Sequence, residues 1–392
     1  MRCEPTAVAW QDKRVPNDPP RTLIVTNDFP PRLGGVQQYV FNLAANLPAD
    51  RVAVFAPNWP GAREHDAALP FAVHRWPSTR LLPTGEAERR AASLAREHGA
   101  DVVLFGHGFP LPLMGPRLAR RGLPYVVLTH GAEVWQACVP GWTGAMRRAL
   151  RRARRVTAIS RYTAGAIRAS LGLAGTLTLL PPAVDERRFE PAIDGSAMRD
   201  AFGADGRRLI VSVSRLVPRK GHDVLIRAMA DVRRIVPDAM LAIVGDGPYQ
   251  GELERLAATL PPAAVHLAGA VPDADLPAAY AASDVFAMPC RSMYGGLEVE
   301  GFGIVYLEAA ATAKAVVAGR SGGAAEAVVD GETAVVAEPL EPKAVALAIV
   351  SLLDDRQRAT AYGWAGRRRV EGAFTWGQRA AELANVLAEA AG

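Results

Sequence analysis

The sequence predicts an α/β protein of two doubly wound domains facing a central cleft. Three observations lead there. Short β-branched apolar runs alternate with helical stretches along the whole chain, the pattern of parallel strands covered on both faces. The alternation breaks after Pro191 into the polar stretch DGSAMRDAFGADGRR and then restarts. With 392 residues, the chain has the length of two ordinary domains.

In the first half TLIVTN (22–27), RVAVFAP (51–57), DVVLFG (101–106), YVVLTH (125–130) and RVTAIS (155–160) read as strands, with amphipathic helices at 36–47 and 86–98. In the second half LIVSVS (209–214), MLAIVG (240–245), VHLAG (265–269), VFAMP (285–289) and AVVAG (315–319) repeat the pattern. A last helical stretch, about 378–391, is expected to cross back to the first domain. The expected organisation is a loose tail at 1–20, a first domain at 21–195, a second at 196–375 and the crossing helix at 376–392.

The composition, 49% apolar and 22% charged, is that of a soluble globular protein. A net charge of +5 favours an anionic partner, such as a phosphorylated ligand or a membrane surface. Cys3, Cys138 and Cys290 are odd in number and far apart, which suggests neither a disulfide framework nor a zinc site and fits a reducing cytosol. No apolar run reaches the roughly 18 residues of a spanning helix. The first 20 residues lack the apolar core of a signal peptide. The expectation is a cytoplasmic protein, peripheral at most on the inner face of the plasma membrane.

In open α/β sheets ligands bind outside the carboxyl ends of the strands, and the chemically informative residues follow strands here. Asn27 and Asp28 follow the first, with Gly34-Gly35 just before a helix. His130 and Gly131 follow YVVLTH. Arg215 and Lys220 follow LIVSVS, in SRLVPRKG. Gly245 and Gly247 follow LAIV, in GDGPYQG. EGFGIVYLEA (300–309) is the last. In that stretch Gly301 and Gly303 permit a tight turn, and the helix read over 304–312 presents free N–H groups and a positive dipole end to a phosphate. A carboxylate in that helix, Glu308, needs partners, and ribose hydroxyls are suitable donors.

Each feature has a plainer reading. Gly34-Gly35 can be a loop pair, His130 a structural residue, Arg215 and Lys220 solvated charges, and EGFG an ordinary helix start. GDGPYQG lacks the G-x-G-x-x-G spacing of a dinucleotide site, and no Walker pattern exists. Asp273 and Asp275 read as helix capping and dipole compensation rather than as metal ligands. Trp142, Ala145, Met146, Ala149, Leu150 and Ala153 recur at helical spacing, with Arg147, Arg148, Arg151 and Arg152 opposite. Such a helix can lie on an anionic membrane or simply offer solvent a charged face. No aromatic stacking set accompanies it, so no nucleic acid is expected.

Taken together, TNDFPPRLGGVQQY, THG, SRLVPRKG, VFAMPCR and the E-x7-E of Glu300 and Glu308 resemble the retaining glycosyltransferases of family 4, which have the two-Rossmann GT-B fold. The resemblance covers nearly everything after residue 20. Within the family the strings look like the actinobacterial GDP-mannose-dependent phosphatidyl-myo-inositol mannosyltransferases. The resemblance implies that Glu308 holds the ribose, that the backbone of Phe302, Gly303, Ile304 and Val305 meets the diphosphate, and that Glu300 faces the donor sugar. Arg215 and Lys220 would neutralise the leaving diphosphate without a metal or other cofactor. Gly34, Gly35, Gly245 and Gly247 would border the donor. His130 would sit by the transferred sugar, and Asn27, Asp28 and Gln38 by a lipid or polyol acceptor. HGAEV, with Ala132, and SMYGGLEVEG depart from the subgroup's pattern, which leaves open a UDP-hexose donor or another acceptor. A sugar-nucleotide epimerase and a non-enzymatic basic protein are the rival classes.

Overall fold

The computed structural model describes residues 18–32, 34–139, 141–173 and 177–392. Nearly all of the expected N-terminal tail lies outside them.

Two parallel sheets organise the chain. The first contains β1 (Thr22–Val25), β2 (Val52–Pro57), β3 (Ala72–Trp76), β4 (Val102–Phe105), β5 (Tyr125–Thr129), β6 (Arg155–Ala158) and β7 (Leu177–Leu179), in the order 3-2-1-4-5-6-7. The second contains β8 (Arg208–Val213), β9 (Ala239–Val244), β10 (Val265–Gly269), β11 (Val285–Met288), β12 (Ala315–Gly319) and β13 (Ala334–Ala337), in the order 10-9-8-11-12-13. Both orders reverse direction after the first strand, between β1 and β4 and between β8 and β11. The expectation of two doubly wound domains is met. In each domain the ligand crevice of this topology opens at that reversal, beyond the strand ends.

The central strands are buried except at Arg208, which opens β8, as their apolar runs require. Under the second sheet, helices His222–Ile235 and Pro342–Leu353 pack together through Leu225, Met229, Val345 and Ile349.

Three strands and one long helix were not legible in the sequence. β3 reads AVHRW and none of its residues is buried; β7 has three residues; β13 is a four-residue run. The helix Arg356–Ala373 carries three glycines and six charges in its sequence RQRATAYGWAGRRRVEGA, so its period is obscured. Tertiary contacts hold it: Arg367 donates from one nitrogen to the carbonyls of Glu186, Phe189 and Ala311 at 2.8–2.9 Å. The last helix begins at Trp376, two residues early, because Thr375 and Gln378 form a capping box.

Residues 128–151 and 156–371 pack as one compact unit. Gly372–Gly392 packs with the described residues of 18–127 and with Arg152–Arg155, and Trp376 meets Tyr39 edge-to-face.

Candidate active site

The reversal in the second sheet collects the strongest charges. Beyond β8 the chain turns through Arg215 and Lys220 into helix His222–Ile235. Lys220 is buried, and its Nζ donates to Glu300 Oε2 at 2.6 Å; both side chains are only 11% exposed. Burial alone would raise the Glu300 carboxyl. The Lys220 ammonium, Arg219 and the Gly303 N–H outweigh it and hold the group below the ordinary carboxylate range. Two residues assigned separately from sequence are therefore one buried pair. Arg215 is exposed, and its guanidinium makes no hydrogen bond to a described residue.

The turn after Glu300 is tightly enclosed. Gly303 has φ +88, and a Cβ there would lie 2.5 Å from the Tyr306 ring. A Cβ at Gly301 would lie 2.8 Å from Ile159 and 3.3 Å from the His130 carbonyl oxygen, so the turn runs against the His130 loop. The Gly323 N–H donates to the Glu300 carbonyl at 2.8 Å. The helix Ile304–Ala311 then starts with no side-chain cap, leaving its first N–H groups, at Ile304 and Val305, for an anion. One residue earlier, Phe302 is buried.

Glu308 lies one turn on, the one charge in IVYLEAAA. The Tyr280 hydroxyl donates to its Oε2 at 2.5 Å. Burial raises the Glu308 carboxyl; Tyr280 and Arg188 partly offset this. Oε1 accepts no hydrogen bond from a described residue, which suits a ribose hydroxyl. Tyr280 is fully buried between Phe189 and Phe286, so it fixes the carboxylate rigidly.

His130 follows β5. Its N–H and that of Gly131 donate to the buried Glu133 carboxylate at 3.1 and 2.8 Å. Glu133 thus shapes the loop from below. Its place in HGAEV was the available signal.

Gly245 and Gly247 have φ of +135 and +156, and a Cβ on either would strike the carbonyl oxygen of Ser214 or Leu216 at 2.1 or 2.3 Å. Their glycines serve the close approach of two backbone segments. They thereby position the Arg215 loop. In the same layer Ser214 bonds His222 Nε2 at 2.8 Å. Burial, then Lys220, pushes the His222 pKa down to about 4, so the ring is neutral.

The reversal in the first sheet is built differently. Asp28 Oδ1 accepts from Gln37 Nε2 at 2.7 Å. Gln37 is buried and Gln38 exposed, because successive helix residues point about 100° apart. Gln37, not Gln38, is therefore the residue aimed at Asp28. A Cβ at Gly34, where φ is +154, would lie 2.1 Å from Gln37 Oε1, whereas Gly35 has open space. Asn27 donates to and accepts from the Leu81 backbone, both at 2.9 Å; it clasps a loop.

The helix Trp142–Arg151 exposes Arg147, Arg148 and Arg151, and Arg152 follows, also exposed. Of its apolar side, Met146, Ala149 and Leu150 are buried in the protein, whereas Trp142 is exposed. Asp273 and Asp275 make no side-chain cap; Asp273 pairs with Arg188 at 2.8 Å. Among the described residues no three His, Cys, Asp or Glu side chains group as metal ligands, and no helix is long and apolar enough to cross a membrane.

Residues 33–188 match the model of Glycosyltransferase Family 4, and residues 196–369 that of Glycosyl transferases group 1. A Mycolicibacterium smegmatis protein is 45% identical over 372 residues, 93% of this chain and 97% of the relative. The chain belongs to the family 4 glycosyltransferases. That relative is named GDP-mannose-dependent alpha-(1-6)-phosphatidylinositol monomannoside mannosyltransferase. A Corynebacterium glutamicum relative, 41% identical over 94% of this chain and 97% of its own length, is named for the monoacylated form of the same acceptor. The fold of this glycosyltransferase is that of the Anabaena HepE structure in complex with UDP, with a TM-score of 0.80 and 21% identity over 94% of this chain and 99% of that one. The resemblance read from the strings and the GT-B fold are both borne out.

Proposed function

We propose that this glycosyltransferase moves mannose from GDP-mannose to a phosphatidylinositol-mannoside lipid, with the anomeric configuration kept. The donor and acceptor classes rest on the names of the relatives. The observation that carries the site is the enclosed turn from Glu300 to Val305, with a buried cation at its start, an uncapped helix beyond it and Glu308 fixed one turn later.

The chemistry follows from charge. Breaking the anomeric C–O bond leaves negative charge on the diphosphate and oxocarbenium character on the sugar. The helix N–H groups, Arg215 and Lys220 are placed for the first charge, without a need for an added metal. Glu300, held ionised by Lys220, is placed for the second. Glu308 Oε1 takes the ribose hydroxyls.

Thermal shift with GDP, UDP and ADP tests the reading. A ligand at 100 times its dissociation constant adds about 2.7 kcal/mol of stability. GDP is expected to give the largest shift, and Glu308→Gln to reduce it strongly. A larger shift with UDP would replace the donor. An undiminished GDP shift in Glu308→Gln would remove the ribose assignment.

A further inference from the structure

At the opposite end of the second sheet lies a cavity of about 300 Å³. It forms at the amino ends of the strands: Arg208 opens β8, Asp284 precedes β11 and Lys314 precedes β12. Arg356 and Thr360, in the first turns of helix Arg356–Ala373, close the other side. The donor residues follow the carboxyl ends of these strands. The six residues of β8 separate the two ends by about 20 Å, so the cavity is distinct from the donor site.

Its charge is unbalanced. Three cations, Arg208, Lys314 and Arg356, line it with a single carboxylate, Asp284. That carboxylate already has partners: its Oδ2 accepts from the Leu209 N–H at 2.7 Å and meets both terminal nitrogens of Arg199 at 3.3 Å. Arg208 is held by one nitrogen on the Leu353 carbonyl, which leaves its other donors for the cavity. The side chains of Lys314 and Arg356 make no hydrogen bond or ion pair with any described residue. The neighbouring Asp355 caps Arg358 at 2.9 Å and is not part of the lining.

Lys314 is the informative member. Burial pushes its ammonium pKa down; Asp284 opposes this and Arg199 adds to it. A partly buried ammonium without an acceptor is unfavourable, and an anion between it and two guanidinium groups would relieve it through charge-assisted hydrogen bonds. The volume is at the small end of ligand pockets, too small for a nucleotide sugar.

We propose that this cavity binds a phosphate dianion, either inorganic phosphate or a small phosphomonoester, between Lys314, Arg356 and Arg208. The site is independent of the donor reading.

Calorimetry with inorganic phosphate and with glycerol 3-phosphate tests it, with and without GDP. The proposal expects one phosphate site that persists when GDP is present and weakens roughly tenfold in Lys314→Gln and in Arg356→Gln. GDP affinity should be unchanged in both variants. Tighter binding of glycerol 3-phosphate would assign the ester, and tighter binding of phosphate the free ion. If Lys314→Gln does not fold, the exposed Arg356 still decides. Absence of binding at tens of millimolar, loss of the site on adding GDP, or equal affinity in Arg356→Gln would overturn the proposal. If GDP itself fails to bind, the donor reading falls while the Arg356→Gln comparison stands.

Discussion

At the carboxyl end of β1 an aspartate is held by a neutral amide, Asp28 by Gln37 at 2.7 Å. At the carboxyl end of β8 a lysine is held by a glutamate, Lys220 by Glu300 at 2.6 Å. The two sheets reverse their strand order at the same step, so topology offers each the same crevice. The side chains in each crevice differ in kind. Around β8 there is a buried ion pair, an exposed arginine and an uncapped helix, which together suit a diphosphate. Around β1 the acid has an amide partner, with the exposed Arg32 no nearer than 3.9 Å, and keeps acceptor capacity for hydroxyl groups. Repeating a fold repeats a location; the chemistry comes from which residues follow the strands.

The largest expected effect comes from dividing the ion pair. Lys220→Met leaves Glu300 buried without its cation, which costs about 3–5 kcal/mol of stability, and turnover should fall roughly 10²–10³-fold. Adding Glu300→Leu should recover most of the stability, read as the urea midpoint, and none of the turnover. If the double variant is no more stable than the single one, the pair is not the source of the loss. The pH dependence has a definite sign. The folded Glu300 pKa lies below its ordinary value of 4.5, so its contribution is fully present above about 4.5 and is lost as pH falls through the lower folded value. This acid-labile part should vanish in the double variant.

A middle-sized effect is expected at Tyr280. Tyr280→Phe removes the hydroxyl that orients Glu308, and a hydrogen bond to a charged group contributes about 1.5–3 kcal/mol. Nucleotide affinity should fall by roughly tenfold or more, with a smaller change in the rate at saturating donor. A drop in that rate with unchanged affinity would place Tyr280 elsewhere in the mechanism.

The smallest effect separates two adjacent glutamines. Gln37→Leu should raise the KM for acceptor by roughly tenfold, the value of one lost hydrogen bond to a carboxylate. Gln38→Ala should change it by less than about twofold, as exposed positions do. The reverse ranking would return the acceptor role to Gln38 and end the contrast drawn between the two crevices.

Much of this was readable before the fold was known. The central strands, the restart after Pro191 and the strand-end residues came from apolar runs, which report burial directly. Glu308 stood out because a carboxylate inside an apolar helix demands a partner, and Glu300 because it flanks the glycine turn before that helix. The partners themselves were not readable. Lys220 lies 80 positions from Glu300, and Tyr280 lies 28 from Glu308, and no local pattern links residues so far apart. Gln37 was missed for its neighbour because the sequence shows a glutamine pair without showing which face of the helix turns inward. Helix Arg356–Ala373 was missed because its register is set by Arg367 reaching three carbonyls, two of them some 180 residues away.

By itself the sequence determined the α/β class, the doubling of the domain, the family and the list of groups that can meet a nucleotide sugar. Periodicity, composition and short motifs are properties of neighbours along the chain. Only the tertiary structure decided that Lys220 and Glu300 are one unit, that Gly245 and Gly247 serve the backbone of the Arg215 loop, and that Met146, Ala149 and Leu150 of the arginine helix face the core while Trp142 does not. Those outcomes depend on distances between segments remote in sequence, and such distances are set when the sheets form and their helices pack on them.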